Sequence, residues 1–186
     1  MTDRELAGAV GSGDPAAFLE FVRLHHHSIY RYLKGLSISR EDVEDLTIET
    51  MHLARRKIAG YRGEASLRTW VHRVAYRCFT HWNRRRRPTE PLTEELFLSS
   101  ADPYASIHEA DALLAAIARL PDPMRQAFVL HEVNELPIED IAHVLEIPVG
   151  TVKSRLFHAR TKLRELLTAP EEETHVLLVP KPRPAN

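Results

Sequence analysis

The chain has one cysteine, Cys78, among its 186 residues. That excludes an internal disulfide and any zinc site built from several thiolates, and it argues against a thiol switch within the chain. Long apolar runs are also missing: no window approaches eighteen consecutive apolar residues, so no membrane-crossing helix is expected. The opening "MTDRELAGAV" lacks the basic-then-apolar order of a signal peptide, and the expected location is the cytoplasm. Glycines number only seven and form neither a phosphate-cradling loop nor a nucleophile elbow. The acids cluster at helix starts and in a linker-like segment without a matching base. Eleven histidines include the run His25, His26, His27, but neighbours on a helix point about 100° apart, so the run reads as a polar helix face rather than a metal site. No catalytic centre, metal or cofactor is expected.

What the chain does have is segregated charge. The formal net charge is only -1, yet residues 55–87 hold 11 Lys and Arg against 1 acid, and residues 153–164 hold 5 against 0. Acidic segments surround both: 5 against 9 over residues 1–54 and 2 against 12 over residues 88–152. Separations beyond roughly 8 Å are screened at physiological salt, so local potential, not the total, steers an anionic partner. The block at 55–87 is too lopsided for ordinary i,i+4 pairing. Two embedded basic segments permit nucleic-acid binding at two places.

Apolar residues follow helical spacing almost throughout, with no sustained period-2 alternation, which predicts an all-α protein. A long helix is expected at "GDPAAF", capped by Asp14 with Pro15 at its first position, burying Phe18, Phe21, Val22 and Ile29. A second starts at Ser39, with Asp42 three residues on, and carries Val43, Leu46, Thr50, Met51, Ala54 and Ile58 on one face. A turn at Gly60 to Gly63 ends it. A third, capped by Ser66, places Leu67, Trp70, Val71, Val74, Ala75, Cys78, Phe79 and Trp82 on an apolar face and Arg68, Arg73, Arg77 and Arg84 on the other. From Pro88 to about Ser106 prolines, small polar residues and acids replace this rhythm, as in a flexible linker between two small helical domains. Beyond it, Leu113, Leu114, Ile117 and Leu120 form one short helix, and Phe128, Val129 and Val133 lie on another. Then Pro137 opens "IEDIAHVL", "EIP" turns the chain, and the basic stretch forms a last helix.

Two helices joined by such a turn are a helix-turn-helix, whose second helix enters a DNA major groove. Gly150 and Thr151 then sit where free backbone N–H groups meet a phosphate. Lys153, Ser154, Phe157 and His158 project toward base edges or the adjacent backbone, while Val152, Leu156 and Leu163 pack inward. Arg155, Arg160, Lys162 and Arg164 divide between phosphate and solvent. In the earlier basic block aromatics interleave with arginines, an arrangement suited to unstacked single strands. Trp70, Phe79 and Trp82 take core roles by spacing; Tyr61 and Tyr76 are either stacking partners or plain surface aromatics, among Arg62, Arg68, Arg73, Arg77 and Arg84.

The stretches "GDPAAF", "EDLTIET", "YRGEASLRTWVHRVA" and "LPIEDIAHVLEIPVGTVKSRLFHARTKLREL" together resemble a bacterial sigma factor of the extracytoplasmic-function (ECF) group, over about residues 3–168. The resemblance implies a promoter-recognising subunit of RNA polymerase without catalytic activity of its own. It implies sigma region 2 at 1–87, a linker at 88–106, sigma region 4 at 107–168 and a tail at 169–186. Glu44, Asp45, Leu46 and Glu49 match the helix that docks on the clamp coiled coil of the largest polymerase subunit, and region 4 would meet the flap of the second. Tyr61 to Trp70 match the segment that captures and opens the minus-10 element, and Gly150 to Arg164 the helix that reads the duplex minus-35 element. Promoter DNA and an anti-sigma factor complete the implied partners.

The chain departs from the family pattern at Ile48, Arg55, Arg77, His81 and His158, and Glu146 stands where the turn usually has glycine. Two alternatives make different demands. An ordinary helix-turn-helix regulator needs a sensor or dimerisation module in place of "EDLTIET" and "YRGEASLRTW", and a nucleic-acid enzyme needs convergent carboxylates or a nucleophile. In the tail, His175 to Val179 either pack back onto the domains or a regulator, being apolar enough to do so, or belong to a disordered end.

Overall fold

The computed structural model describes residues 1–86 and 106–168, with backbone alone for 106–111. Most of the expected linker, and the tail at 169–186, lie outside the described residues. Among the described residues there are eight α-helices and no strand, as the periodicity predicts.

The first expected helix begins at Asp14, but a shorter one precedes it. This helix, α1 (Asp3–Gly11), is set by a reciprocal cap: Thr2 Oγ1 accepts from the Glu5 N–H at 3.3 Å, and the Glu5 carboxylate accepts from the Thr2 N–H at 2.7 Å. The signal was legible as Thr-x-x-Glu. Leu6, Ala7 and Val10 bury its inner face. In α2 (Pro15–Gly35) the Asp14 carboxylate accepts from Ala16 N–H at 2.8 Å, with Pro15 at the first position, where its missing N–H costs nothing. Ser39 caps α3 (Arg40–Lys57), which buries Val43, Leu46, Thr50, Met51 and Ala54; a 3-10 turn, Ile58–Gly60, ends it.

The cationic helix α4 (Leu67–Arg86) is capped twice at its start. Ser66 Oγ accepts from Thr69 N–H at 3.1 Å, and the Asp3 carboxylate, reaching across from α1, accepts from Leu67 N–H at 2.7 Å. Leu67, Val71, Val74, Ala75, Cys78 and Phe79 are buried as expected, but Trp70 and Trp82 are only half-buried at the margin of the core. Thr69 and His72 are buried instead, His72 against Ser28 and Tyr32 of α2 and against Asn134 of a second body.

That second body comprises α5 (Ser106–Ala118), α6 (Asp122–Phe128), a π-helical turn (Val129–Val133), α7 (Ile138–Leu145) and α8 (Val149–Thr168). Ile117 and Leu120 face its core, whereas Leu113 and Leu114 face out. Leu130, Ile141, Val144 and Leu145 are buried in one apolar cluster with Val152, Leu156, Ala159 and Leu163 of α8. Between α7 and α8 the chain turns at Glu146, whose φ of 57° and ψ of 43° are left-handed. A non-glycine residue there costs roughly 1–2 kcal/mol.

The two bodies lie against each other, α7 beside α4 and the π-helical turn beside the end of α2. A Cβ on Gly35 would come within 2.6 Å of Val129 Cγ1, so glycine is what permits that approach.

Candidate nucleic-acid interface

In α8 the alternation of buried and exposed positions sorts the basic stretch into two faces. Val152, Leu156, Ala159 and Leu163 are buried, while Gly150, Lys153, Ser154, Phe157 and His158 are exposed on the side away from the core. Phe157 is 66% exposed, with its ring edge-on to His158 at 5.4 Å. An aromatic left in water beside a lysine and a serine has no role in folding and suits contact with a base or sugar. Thr151 and Arg155 are half-buried at the edge of this face. Ser154 Oγ donates to the Thr151 carbonyl at 3.0 Å, and Arg160 is tied to Glu132 of the π-helical turn at 2.7 Å. Lys162 pairs with Glu165 at 3.3 Å.

The earlier basic block is arranged differently. Tyr61 is half-buried, donates its hydroxyl to the Ala65 carbonyl at 2.7 Å and sets its ring edge-on to Trp70 at 5.9 Å. Tyr76 is half-buried on α4, and Arg62 and Arg84 are exposed near opposite ends of the region. Arg73 and Arg77, one turn apart, converge with Lys57, Trp70 and Val74 around a cleft of about 340 Å³.

Spacing alone leaves this arginine face open, but part of it is covered by the second body. Arg73 donates from Nε to Glu146 Oε1 at 2.8 Å and again from Nη2, and Arg77 Nη2 donates to the same oxygen. The hydrogen bond from Arg73 first, then that from Arg77, holds the Glu146 carboxyl below its ordinary range. Arg68 donates to the Asn134 carbonyl and Arg31 to the Val133 carbonyl. Asn134, 2% exposed, donates from Nδ2 to the Ser28 carbonyl at 2.7 Å and lies 3.3 Å from His72 Nε2. Sequence reasoning missed Arg31, His72, Asn134 and the pairing of Glu146. Only the departure from glycine at Glu146 was a signal.

The candidate polymerase-facing residues divide too. Glu44, Asp45 and Glu49 are exposed on α3, with Glu44 held by Arg40 at 2.9 Å. Leu46 is 1% exposed, so it supports the helix from within and offers nothing to a docked partner. Ile48, 55% exposed, stands outside in its stead. Beside Glu49 a wide cleft of about 570 Å³ is lined by His52, Arg55 and Arg56, and Arg55 stacks over Phe18 at 4.8 Å. The histidine run is split, with His25 buried against Phe21 at 4.8 Å and His26 and His27 exposed. Among the described residues no group of three or more His, Cys, Asp or Glu is placed to hold a metal, and no helix is long and apolar enough to cross a membrane.

Residues 21–89 match the family described as Sigma-70 region 2, and residues 110–163 match the family described as Sigma-70, region 4. The chain is 34% identical over 168 residues to the ECF RNA polymerase sigma factor SigM of Mycobacterium tuberculosis, covering 89% of this chain and 85% of that protein. It is 30% identical over 176 residues to the ECF RNA polymerase sigma-E factor of Haemophilus influenzae, covering 86% and 92%. Two solved structures share the fold. One is CnrH in complex with the cytosolic domain of CnrY, with TM-score 0.70 and 24% identity over 89% of this chain and 96% of that one. The other is the sigma factor RpoE with the anti-sigma factor NepR from Bartonella quintana, with TM-score 0.65 and 22% identity over 81% and 96%.

Proposed function

The chain belongs to the ECF sigma factors of RNA polymerase, subunits that bind the core enzyme and direct initiation at specific promoters, and from that premise we propose how its surfaces divide the work. Residues 107–168 form the duplex reader. Gly150 and Thr151 meet a phosphate of the minus-35 element, Lys153, Ser154, Phe157 and His158 approach base edges, and Arg155 and Arg160 hold the backbone. The observation that carries this is the outward row Lys153, Ser154, Phe157, His158 on a helix whose other face is closed by Val152, Leu156 and Ala159.

Residues 1–87 form the strand reader and the polymerase dock. Arg68, Arg73, Arg77 and Arg84, with Arg62, supply the positive potential for the opened minus-10 strand, and Tyr61 and Tyr76 flank it as aromatic platforms. Glu44, Asp45 and Glu49, with Ile48 in the place assigned to Leu46, face the clamp coiled coil of the largest subunit, and the second body meets the flap. The chain acts as an initiation factor and leaves nucleotide chemistry to the core enzyme. Residues 88–106 connect the two readers.

An anti-sigma factor is proposed as the regulator, since the RpoE of the shared fold was solved with one. Reconstitution with core polymerase tests the whole reading: the holoenzyme should initiate from a subset of a promoter library. Absence of initiation from every member, with the chain bound to core, would overturn it.

A further inference from the structure

Glu146 is an unlikely place for a glutamate on backbone grounds alone. Its left-handed φ of 57° disfavours any side chain, and an outlier of that kind points to a constraint imposed by something else. The constraint visible here is long-range: the side chain reaches Arg73 and Arg77, which lie 73 and 69 positions earlier in the chain.

The chemistry of the contact is that of an oxyanion site. Two guanidinium groups, one turn apart on α4, aim three N–H donors at the single oxygen Oε1, as such groups do toward a phosphate oxygen. Like charges at i,i+4 repel, so the pair calls for an anion between them. Lys57 and Trp70 line the cleft alongside, adding a third cation and an aromatic face.

We infer that Glu146 is an intramolecular competitor of the opened promoter strand: in the closed molecule its carboxylate takes the place of a backbone phosphate between Arg73 and Arg77. The inference rests on the reading of α4 as the strand reader.

Position in the chain gives the contact its consequence. Glu146 belongs to the turn that launches α8, so the element that presents the duplex-reading face also covers the strand-reading face. Lys153, Ser154, Phe157 and His158 stay exposed while Arg73 and Arg77 are engaged. The closed chain therefore leaves its duplex-reading face free while Glu146 occupies two cations of its strand-reading face. The rest of the junction includes several polar contacts, Asn134 with Ser28, Arg68 and Arg31 with backbone carbonyls, and Asn83 with Asp122. Polar contacts of this kind, beside the apolar approach of Val129 to Gly35, suit two bodies that move relative to each other.

The test uses the full chain with Glu146→Gln, which keeps the size and removes the charge, and with Asn134→Ala, which removes the side-chain amide that anchors to Ser28 and His72 and keeps the backbone carbonyl that Arg68 bonds. Binding is read by fluorescence anisotropy on a short adenine- and thymine-rich single strand and on a duplex, and molecular dimensions by small-angle scattering. Each variant should bind the single strand roughly fivefold or more tightly than the parent, a gain typical of a released coupling. Duplex affinity should not move, and the radius of gyration should rise. Unchanged strand affinity and dimensions in Glu146→Gln, with native circular dichroism, would overturn the inference.

The underlying reading is checked apart, with Arg73→Ala in holoenzyme on a promoter bubble opened in advance. If that variant binds the bubble like the parent, the reading of α4 falls and the inference with it. If it binds more weakly while Glu146→Gln changes nothing, the inference falls alone.

Discussion

His72 and Asn134 meet across the junction of the two bodies, Nε2 of the ring 3.3 Å from the amide Nδ2. The other ring nitrogen, Nδ1, faces the Arg68 carbonyl at 2.8 Å, which can only accept, so Nδ1 carries the proton and Nε2 is the acceptor. Ser28 Oγ, 3.2 Å away, shares that acceptor.

This geometry sets a pH response. Burial first, then the Arg68 and His25 charges, push the His72 pKa down to about 4, against the favourable bond to the Arg68 carbonyl. An unfolded chain takes up this proton near pH 6.5, whereas the folded chain resists it until about pH 4. Stability from His72 is thus complete above about pH 6.5 and is lost as pH falls toward 4, by about 1.4 kcal/mol per unit and ~3 kcal/mol in all. Denaturant midpoints between pH 7.5 and 4.5 should fall more steeply for the parent than for His72→Gln. Parallel curves would count against the assignment.

The proposed polymerase face separates two kinds of substitution on α3. Asp45→Arg and Ile48→Asp change exposed positions and should lower affinity for core polymerase with little change in melting temperature. Leu46→Ala empties a buried site and should destabilise by about 2–5 kcal/mol. Melting curves beside core-binding titrations distinguish the two; loss of core binding by Leu46→Ala at full stability would restore Leu46 to the interface.

Recognition-helix substitutions should differ in kind. Lys153→Ala and Ser154→Ala are expected to weaken duplex binding selectively by base identity, by roughly 1–3 kcal/mol at the contacted position. Arg160→Ala should weaken all sequences alike and lower the salt slope by about 1. Competition across a duplex library at two salt concentrations measures both. Because Glu132 holds Arg160, Glu132→Gln should raise duplex affinity uniformly.

Aromatic truncation in α4 tests where its core ends. Phe79, 3% exposed, should cost about 3–5 kcal/mol as Phe79→Ala, while half-buried Trp70→Ala should cost less. Chemical denaturation of both variants reads the difference, and equal losses would mean that Trp70 is held in the core after all.

Helix identity was legible because its determinants are local. Asp14 with Pro15, Ser39, and the 3-and-4 spacing of Val43, Leu46, Thr50, Met51 and Ala54 act within a few residues of themselves, and each acts as read. The inward face of α8 was legible for the same reason. Even α1 was written locally, in the reciprocal cap of Thr2 and Glu5.

Sequence alone therefore determined an all-α chain, its helix-turn-helix and its segregation of charge. Only tertiary structure decided that Glu146 pairs with Arg73 and Arg77, that Asn134 meets His72 and that Trp70 lies at a margin of the core. A helix face with arginines is written as open whether or not another body covers it, since periodicity records the residues of one helix and not those packed on it. Contacts between residues some 60 to 70 positions apart depend on how two amphipathic bodies close on each other, and no window along the chain contains both partners.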